Sequence, residues 1–208
     1  PTCSESMSWD FPPECGEPRD CVWCTCNDDL AFVDQLLDEL ESSLCIDLDR
    51  VYATGVSNGA SFVHRLGCDR AERFAAIAPV AGMLSRGFNC APDRSNPVSI
   101  MHLHGDRDTS VSVDGSEGAE GHFFVPVDDM IDAWASAESQ GCDDGGTPYP
   151  TSRDGSMGLT CVQRANCATG TEVVSCSFEG DHASALQIGN QFGTKVIWEF
   201  LSQNSKQR

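Results

Sequence analysis

From Asn27 onward the apolar positions fall into two rhythms. Leu30, Val33, Leu37, Leu40 and Leu44 recur at three- and four-residue steps. That is the spacing of one face of a helix, and it predicts an amphipathic helix over about 28–43. Asn27, Asp28 and Asp29 supply capping oxygens and negative charge where the first-turn amides need them. Arg50-Val51-Tyr52-Ala53-Thr54-Gly55-Val56 is short and rich in β-formers and reads as a strand, followed by a helix over 58–66. Apolar runs over 75–81 and 98–104, the second ending at Gly105, read as strands. Val127, Ile131, Trp134 and Ala135 mark a helix over about 127–140. A strand over 171–178 follows, and Phe192, Val196, Ile197, Phe200 and Leu201 give a final helix. Two stretches lack any period and read as loop. Residues 1–26 hold Pro12, Pro13, Pro18, Gly16 and five cysteines, and 141–170 is rich in Gly, Asp, Thr and Pro. There is no internal repeat.

Strands that are apolar throughout and alternate with helices predict a parallel sheet covered on both faces. The expectation is one α/β domain over 1–208, with 1–26 as a Cys/Pro-rich loop segment. Charge narrows the partners. Against 32 acidic side chains stand 13 Lys and Arg, a net −19. That excludes a nucleic-acid backbone as partner and reads as solvated surface carboxylate. No run approaches the roughly 18 apolar residues of a membrane span.

Twelve cysteines in 208 residues imply an oxidising compartment and a disulfide framework, hence secretion. Zinc is the rival use. Cys21-x-x-Cys24-x-Cys26 with Cys15 makes one knuckle, and no second follows at a repeat spacing, so neither metal nor cofactor is expected. Pro1 opens a polar stretch without the basic and apolar regions of a leader, so secretion implies an upstream segment that is removed.

The sharpest chemical motif is Gly55-Val56-Ser57-Asn58-Gly59. It fits G-x-S-x-G with a strand before it and a helix after it, the context that lifts a serine hydroxyl to a strand's carboxyl end. Ser57 is the candidate nucleophile, and the backbone N–H of Asn58 faces the position of a developing oxyanion. The bland reading is a structural turn.

A serine needs a base. His64 sits on the helix after Ser57 and reads as a packing or surface residue; His102 and His104 alternate along a strand and serve its packing or its end. His122, among glycines, is a loop residue placed to line a cleft. In sites of this strand–turn–helix type the order is serine, acid, histidine, which selects the last histidine, His182, in Glu179-Gly180-Asp181-His182. The acid belongs after the strand over 98–104, where Asp106 and Asp108 both lie, and spacing does not separate them.

Val51 to Gly59, Phe74-Ala75-Ala76-Ile77-Ala78-Pro79-Val80-Ala81-Gly82, His104-Gly105-x-x-Asp108 and Gly180-x-His182 together resemble the secreted polyhydroxybutyrate depolymerase and feruloyl/acetylxylan esterase family of α/β-hydrolases. Ser8-Trp9, and Trp134-Ala135 ahead of Gly141-Cys142, also fit. The resemblance covers nearly the whole chain. It implies an α/β-hydrolase-like, mainly parallel sheet flanked by helices, with Ser57 as nucleophile, Asp108 as acid and His182 as base. It further implies a disulfide between Cys142 and Cys167, which makes Cys161–Cys176 a neighbouring bridge; Cys68 with Cys90 is a further pairing.

The implied function is a secreted serine ester hydrolase acting on feruloyl or acetyl esters of plant polysaccharide. A polyester depolymerase is the second reading. A hydrolase-like binding domain with little or no catalysis, and a zinc-bound interaction module, are readings of other classes. The sequence departs from the family in two ways. Ala183-Ser184 follow the histidine where a bulky aromatic is usual, which implies a more open substrate wall. The family's N-terminal strands and its His-Gly-type loop, with the second oxyanion amide, find no counterpart. The strand over 51–56 is then an open apolar edge, and either upstream sequence or a dimer partner is expected to cover it.

Overall fold

A computed structural model describes residues 28–86, 94–136, 138–151, 158–188 and 193–206. The first helix, α1 (Asp29–Ser43), starts where Asp28 accepts the Ala31 amide at 2.9 Å, one of the four first-turn donors without an intrahelical partner. Leu30 is buried, and Val33 and Leu37 pack beside it. Leu44, the last member of the predicted stripe, lies past the helix end and is exposed. Ion pairs fasten the outer side of α1: Arg70 to Asp34 at 2.7 Å, and Arg73 to Asp38 and Glu41 at 2.9 and 2.8 Å.

The alternating elements are β1 (Tyr52–Val56), α2 (Asn58–Asp69), β2 (Ala76–Val80), β3 (Ser99–Gly105), α3 (Val127–Ala135), β4 (Gly146–Pro148), β5 (Thr160–Arg164), β6 (Val173–Phe178), α4 (His182–Ile188) and α5 (Gly193–Gln203). They build one six-stranded sheet in the order β1-β2-β3-β6-β5-β4. The first four in that order run parallel; β5 and β4 are added antiparallel at the far side. This is the α/β-hydrolase-like, mainly parallel sheet expected.

Side chains of a strand alternate between faces, and here that alternation sorts the core into two layers. Ile77, Ile100 and Val173 pack with Leu30, Val63, Leu66, Met130, Ile131 and Trp134 of α1, α2 and α3. Their neighbours Ala76, Ala78, Met101, Leu103 and Val174 pack with Val196, Ile197, Phe200 and Leu201 of α5. β1 is the outermost strand on its side; no strand among the described residues pairs with its outer edge.

Four elements depart from the expectations. The helix over 127–140 stops at Ala135, because the chain turns: the Gly141 amide bonds Ser136 O at 2.7 Å, Cys142 N bonds Ala135 O at 2.9 Å, and the Gln140 side chain bonds Val98 O at 3.1 Å. The stretch 141–170, read as loop, contains β4 and β5. Gly146-Thr147-Pro148 has no apolar alternation to announce a strand, and its pairing is dictated by β5. His182, read as opening a loop, opens α4.

Two disulfides brace this region, Cys142–Cys167 and Cys161–Cys176, the second joining directly opposed residues of β5 and β6. Cys68 is also disulfide-bonded, and Cys45 is an exposed free thiol; Cys90, like Cys15, Cys21, Cys24, Cys26 and the Ser8-Trp9 segment, lies outside the described residues. Cys161 and Cys176 are 15 residues apart. Closing a loop of that size restricts the unfolded chain by about 3 kcal/mol. Replacing both cysteines by alanine is therefore expected to lower unfolding free energy by roughly that amount in guanidinium titration. An unchanged midpoint would show that the bridge does not constrain the unfolded ensemble. Among the described residues no helix is long and apolar enough to cross a membrane.

Candidate active site

The turn from β1 into α2 holds Ser57 in the left-handed region, φ +57° and ψ −122°. A non-glycine residue there is strained, and the surroundings fix it. The Ser57 amide bonds Val80 O at 2.9 Å, and Ser57 O accepts from Ala60 N and Ser61 N at 2.9 and 3.1 Å. A Cβ on Gly55 would lie 2.6 Å from the Gly59 carbonyl carbon and oxygen, so close backbone approach requires glycine there. A Cβ on Gly59, the other glycine of the motif, would meet no described atom within 4 Å beyond its chain neighbours and the backbone of its own helix. The tighter requirement is outside the motif: a Cβ on Gly82, two residues past β2, would lie 2.0 Å from Ser57 O.

Ser57 and His182 are half-buried and meet directly. The Ser57 hydroxyl is 2.8 Å from His182 Nε2, and His182 Nδ1 is 2.7 Å from Asp108 Oδ2. An ionised carboxylate only accepts, so Nδ1 carries the hydrogen and Nε2 is the acceptor for the serine O–H. The Asp108 side chain is fully buried. Its Oδ1 accepts from the Ser110 and Val111 amides, both at 2.9 Å. Burial pushes its pKa up. Hydrogen bonds from His104, His182 and the Val111 amide outweigh that and hold it well below the ordinary carboxylate range. The hydrogen bond to Asp108 raises the pKa of His182 above 6.5, against the opposing effect of burial.

The two carboxylates that spacing left equivalent have different partners. Asp106 Oδ1 accepts the Gly180 amide at 2.9 Å, while Arg107 N donates to Gly180 O at 2.9 Å. A Cβ on Gly105 would lie 2.5 Å from Gly180 O, so the loops after β3 and β6 touch backbone to backbone. Asp106 staples these loops, and Asp108, two residues on, reaches the imidazole. Asp181 caps α4 by accepting the Ser184 amide at 3.0 Å and the Ser184 hydroxyl at 2.8 Å, which sets where His182 departs from the loop. Asn58 is exposed and is the first residue of α2, so its amide belongs to the turn whose N–H groups have no intrahelical acceptor.

Of the remaining histidines, His122 sits beside the Phe124 ring, with centroids 6.4 Å apart. His64, His102 and His104 form a buried row behind Asp108, a grouping that linear reading missed. Its one visible signal is the period-two pair His102 and His104 on β3. Among the described residues no group of three or more His, Cys, Asp or Glu is placed to hold a metal ion.

No protein-family model matches the chain. It is 30% identical to feruloyl esterase B of Piromyces equi over 191 residues, 88% of this chain and 32% of that protein. It is 27% identical to feruloyl esterase C of Emericella nidulans, covering 86% of this chain and 60% of the relative, and 28% identical to feruloyl esterase D of Neurospora crassa, covering 87% and 58%. The chain thus spans between about a third and three-fifths of the length of these curated relatives. By sequence, and with an α/β-hydrolase-like sheet beneath Ser57, it is similar to the feruloyl esterases.

Proposed function

We propose that the chain is the catalytic part of a secreted serine carboxylic-ester hydrolase acting on feruloyl or acetyl esters of plant polysaccharide. The observation that carries the reading is the unbroken hydrogen-bonded series from Ser57 Oγ through His182 to buried Asp108, with the serine on a strained elbow. The names of the relatives support the feruloyl ester; the acetyl ester and the polysaccharide are what the sequence resemblance implies. Secretion is supported by the disulfides of the β5–β6 region.

As Ser57 Oγ bonds to the ester carbonyl carbon, its proton passes to His182 Nε2, and the carbonyl oxygen takes the negative charge toward the Asn58 amide. Asp108 keeps the ring in the Nδ1–H form and stabilises the imidazolium without taking its proton. Collapse of the tetrahedral adduct breaks the bond to the alcohol, which leaves with the Nε2 proton. Water then attacks the acyl carbon, gives a proton to Nε2, and the second collapse frees the acid and restores the Ser57 hydroxyl. Nothing in these steps calls for a cofactor.

The experiment is labelling with an organophosphonate ester, which captures activated serines, followed by peptide mapping and a comparison of methyl ferulate, acetylated xylan and a polyester film. A phosphonyl group on Ser57 with turnover of the feruloyl or acetyl ester is expected. Labelling with turnover of the polyester alone would transfer the assignment to a depolymerase. An unlabelled, folded protein would make it a binding domain.

His182 works as a base only when neutral. Its raised pKa keeps the cation to higher pH, so the acid limb of the kcat/KM profile is expected to have its midpoint above the ordinary 6.5. A midpoint at or below that value would mean that Asp108 does not stabilise the charged ring in solution.

A further inference from the structure

We propose that His104 is a positioning residue for Asp108, the terminus of a buried chain of three imidazoles, His64–His102–His104, whose Nε2–H groups point in sequence toward the Asp108 carboxylate. The inference rests on Asp108 being the acid of the Ser57–His182 pair.

A backbone carbonyl fixes the hydrogen at the Asp108 end of the chain. His104 Nε2 lies 2.9 Å from Val111 O, and a carbonyl only accepts, so Nε2 carries a hydrogen. The same nitrogen lies 3.4 Å from Asp108 Oδ2, the oxygen that also receives His182 Nδ1–H. Behind it, His102 Nε2 lies 2.9 Å from His104 Nδ1 and His64 Nε2 lies 3.2 Å from His102 Nδ1; in the proposed direction each Nε2–H donates to the Nδ1 of the next ring. All three rings are nearly or fully withdrawn from solvent, at 0%, 0% and 3% exposure for His64, His102 and His104. Burial pushes the His64 pKa down to about 3, with His104 adding to it, and pushes that of His102 well below the ordinary value. Single protonation of those two rings follows.

Val111 ties the row to the site twice. Its amide donates to Asp108 Oδ1 and its carbonyl accepts from His104. The carboxylate is thus gripped on Oδ1 by two backbone amides and flanked on Oδ2 by two imidazole N–H groups. His104 does two things there. It braces the 108–111 turn, and it draws negative charge from the oxygen that stabilises protonated His182. The titratable groups facing Asp108 are His104 and His182; those facing His182 are Asp108 and Asp181; those facing His102 are His64 and His104.

The sign follows. Without the His104 N–H, Oδ2 keeps more charge for His182, the imidazolium is held more tightly, and the acid limb of kcat/KM moves to higher pH. Misplacement of the carboxylate lowers kcat roughly ten- to a hundred-fold, the effect of losing one hydrogen bond to a charged group, with little change in KM.

The test compares His104→Leu, which removes the donor, with His104→Gln, whose side-chain amide restores an N–H near Nε2. The Leu variant is expected to show both the loss in kcat and the shifted limb, and the Gln variant to recover most of each. A folded Leu variant with the parent's limb and kcat would overturn the proposal, as would a Gln variant that matches Leu in both. Imidazole ¹⁵N spectra of the unmodified protein test the same point if the Leu variant does not fold: a hydrogen on His104 Nε2 supports it, and an Nδ1–H tautomer overturns it. The underlying reading fails separately. Turnover that persists in Ser57→Ala removes the triad, whereas an inactive Ser57→Ala beside an unshifted His104→Leu removes only the role of His104.

Discussion

Ser57→Ala is expected to lower kcat/KM for a short-chain aryl ester by about 10⁴ or more while leaving the unfolding midpoint near that of the parent. In the proposed mechanism activity depends on the hydroxyl, the group 2.8 Å from His182 Nε2, and alanine gives the imidazole nothing to deprotonate. Folding does not depend on it. The strain of the elbow is in the backbone, at φ +57°, and a Cβ is already present in serine. The bonds that hold the turn run through the Ser57 amide and carbonyl, which alanine keeps. His182→Ala is expected to cost a similar factor. The double variant is expected to be no worse than either single one, since the two act as one proton-transferring unit. Losses that multiply would mean that the residues serve different steps. Retained turnover in Ser57→Ala would reassign the nucleophile.

What linear reading could see, and what it could not, follows from the range of the interactions. The turn at Ser57 was legible because its requirements are local: a β-rich run, a serine between glycines, then a helical pattern. The parallel sheet was legible because Ala76–Val80 is apolar throughout and both it and Ser99–Gly105 are buried on both faces. Asp106 and Asp108 were indistinguishable because what separates them is the Gly180 amide, 74 residues away, which takes one and leaves the other to His182. β4 was illegible for a different reason. A three-residue exposed strand ending in proline has no period of its own and exists because β5 offers it an edge. The imidazole row was half visible, in His102 and His104 facing the same way on β3. The third ring comes from α2, and only the packing of that helix on the sheet brings His64 to them.

Gly82→Ala is expected to damage the fold more than any substitution within the G-x-S-x-G motif, although Gly82 is not part of it. The new methyl would stand 2.0 Å from Ser57 O, 2.7 Å from Ala60 Cβ and 2.9 Å from Ser57 C. A flexible side chain could swing away, but the nearest obstacle is the backbone carbonyl of the elbow. That carbonyl accepts from Ala60 N and Ser61 N at 2.9 and 3.1 Å, and the Ser57 amide is tied to Val80 O at 2.9 Å. The β2 side has no slack either: Ala81 already sits at φ +49°, and its amide bonds Leu103 O at 2.8 Å. The overlap must therefore separate β2 from the start of α2. That breaks packed contacts and hydrogen bonds together, a loss of more than about 4 kcal/mol, which lies in the range reserved for severe steric or buried-network defects. The counterpart is Gly59→Ala, where the added methyl meets no described atom within 4 Å beyond its chain neighbours and its own helix backbone, and the residue is in the first turn of α2. Alanine is the better helix former by up to about 1 kcal/mol, so this variant is expected to fold with a midpoint at or above that of the parent. Urea titration of both variants, paired with phosphonate labelling of Ser57, reads stability and elbow geometry separately. A Gly82→Ala protein as stable and as readily labelled as the parent would show that β2 and the elbow are not in backbone contact in solution.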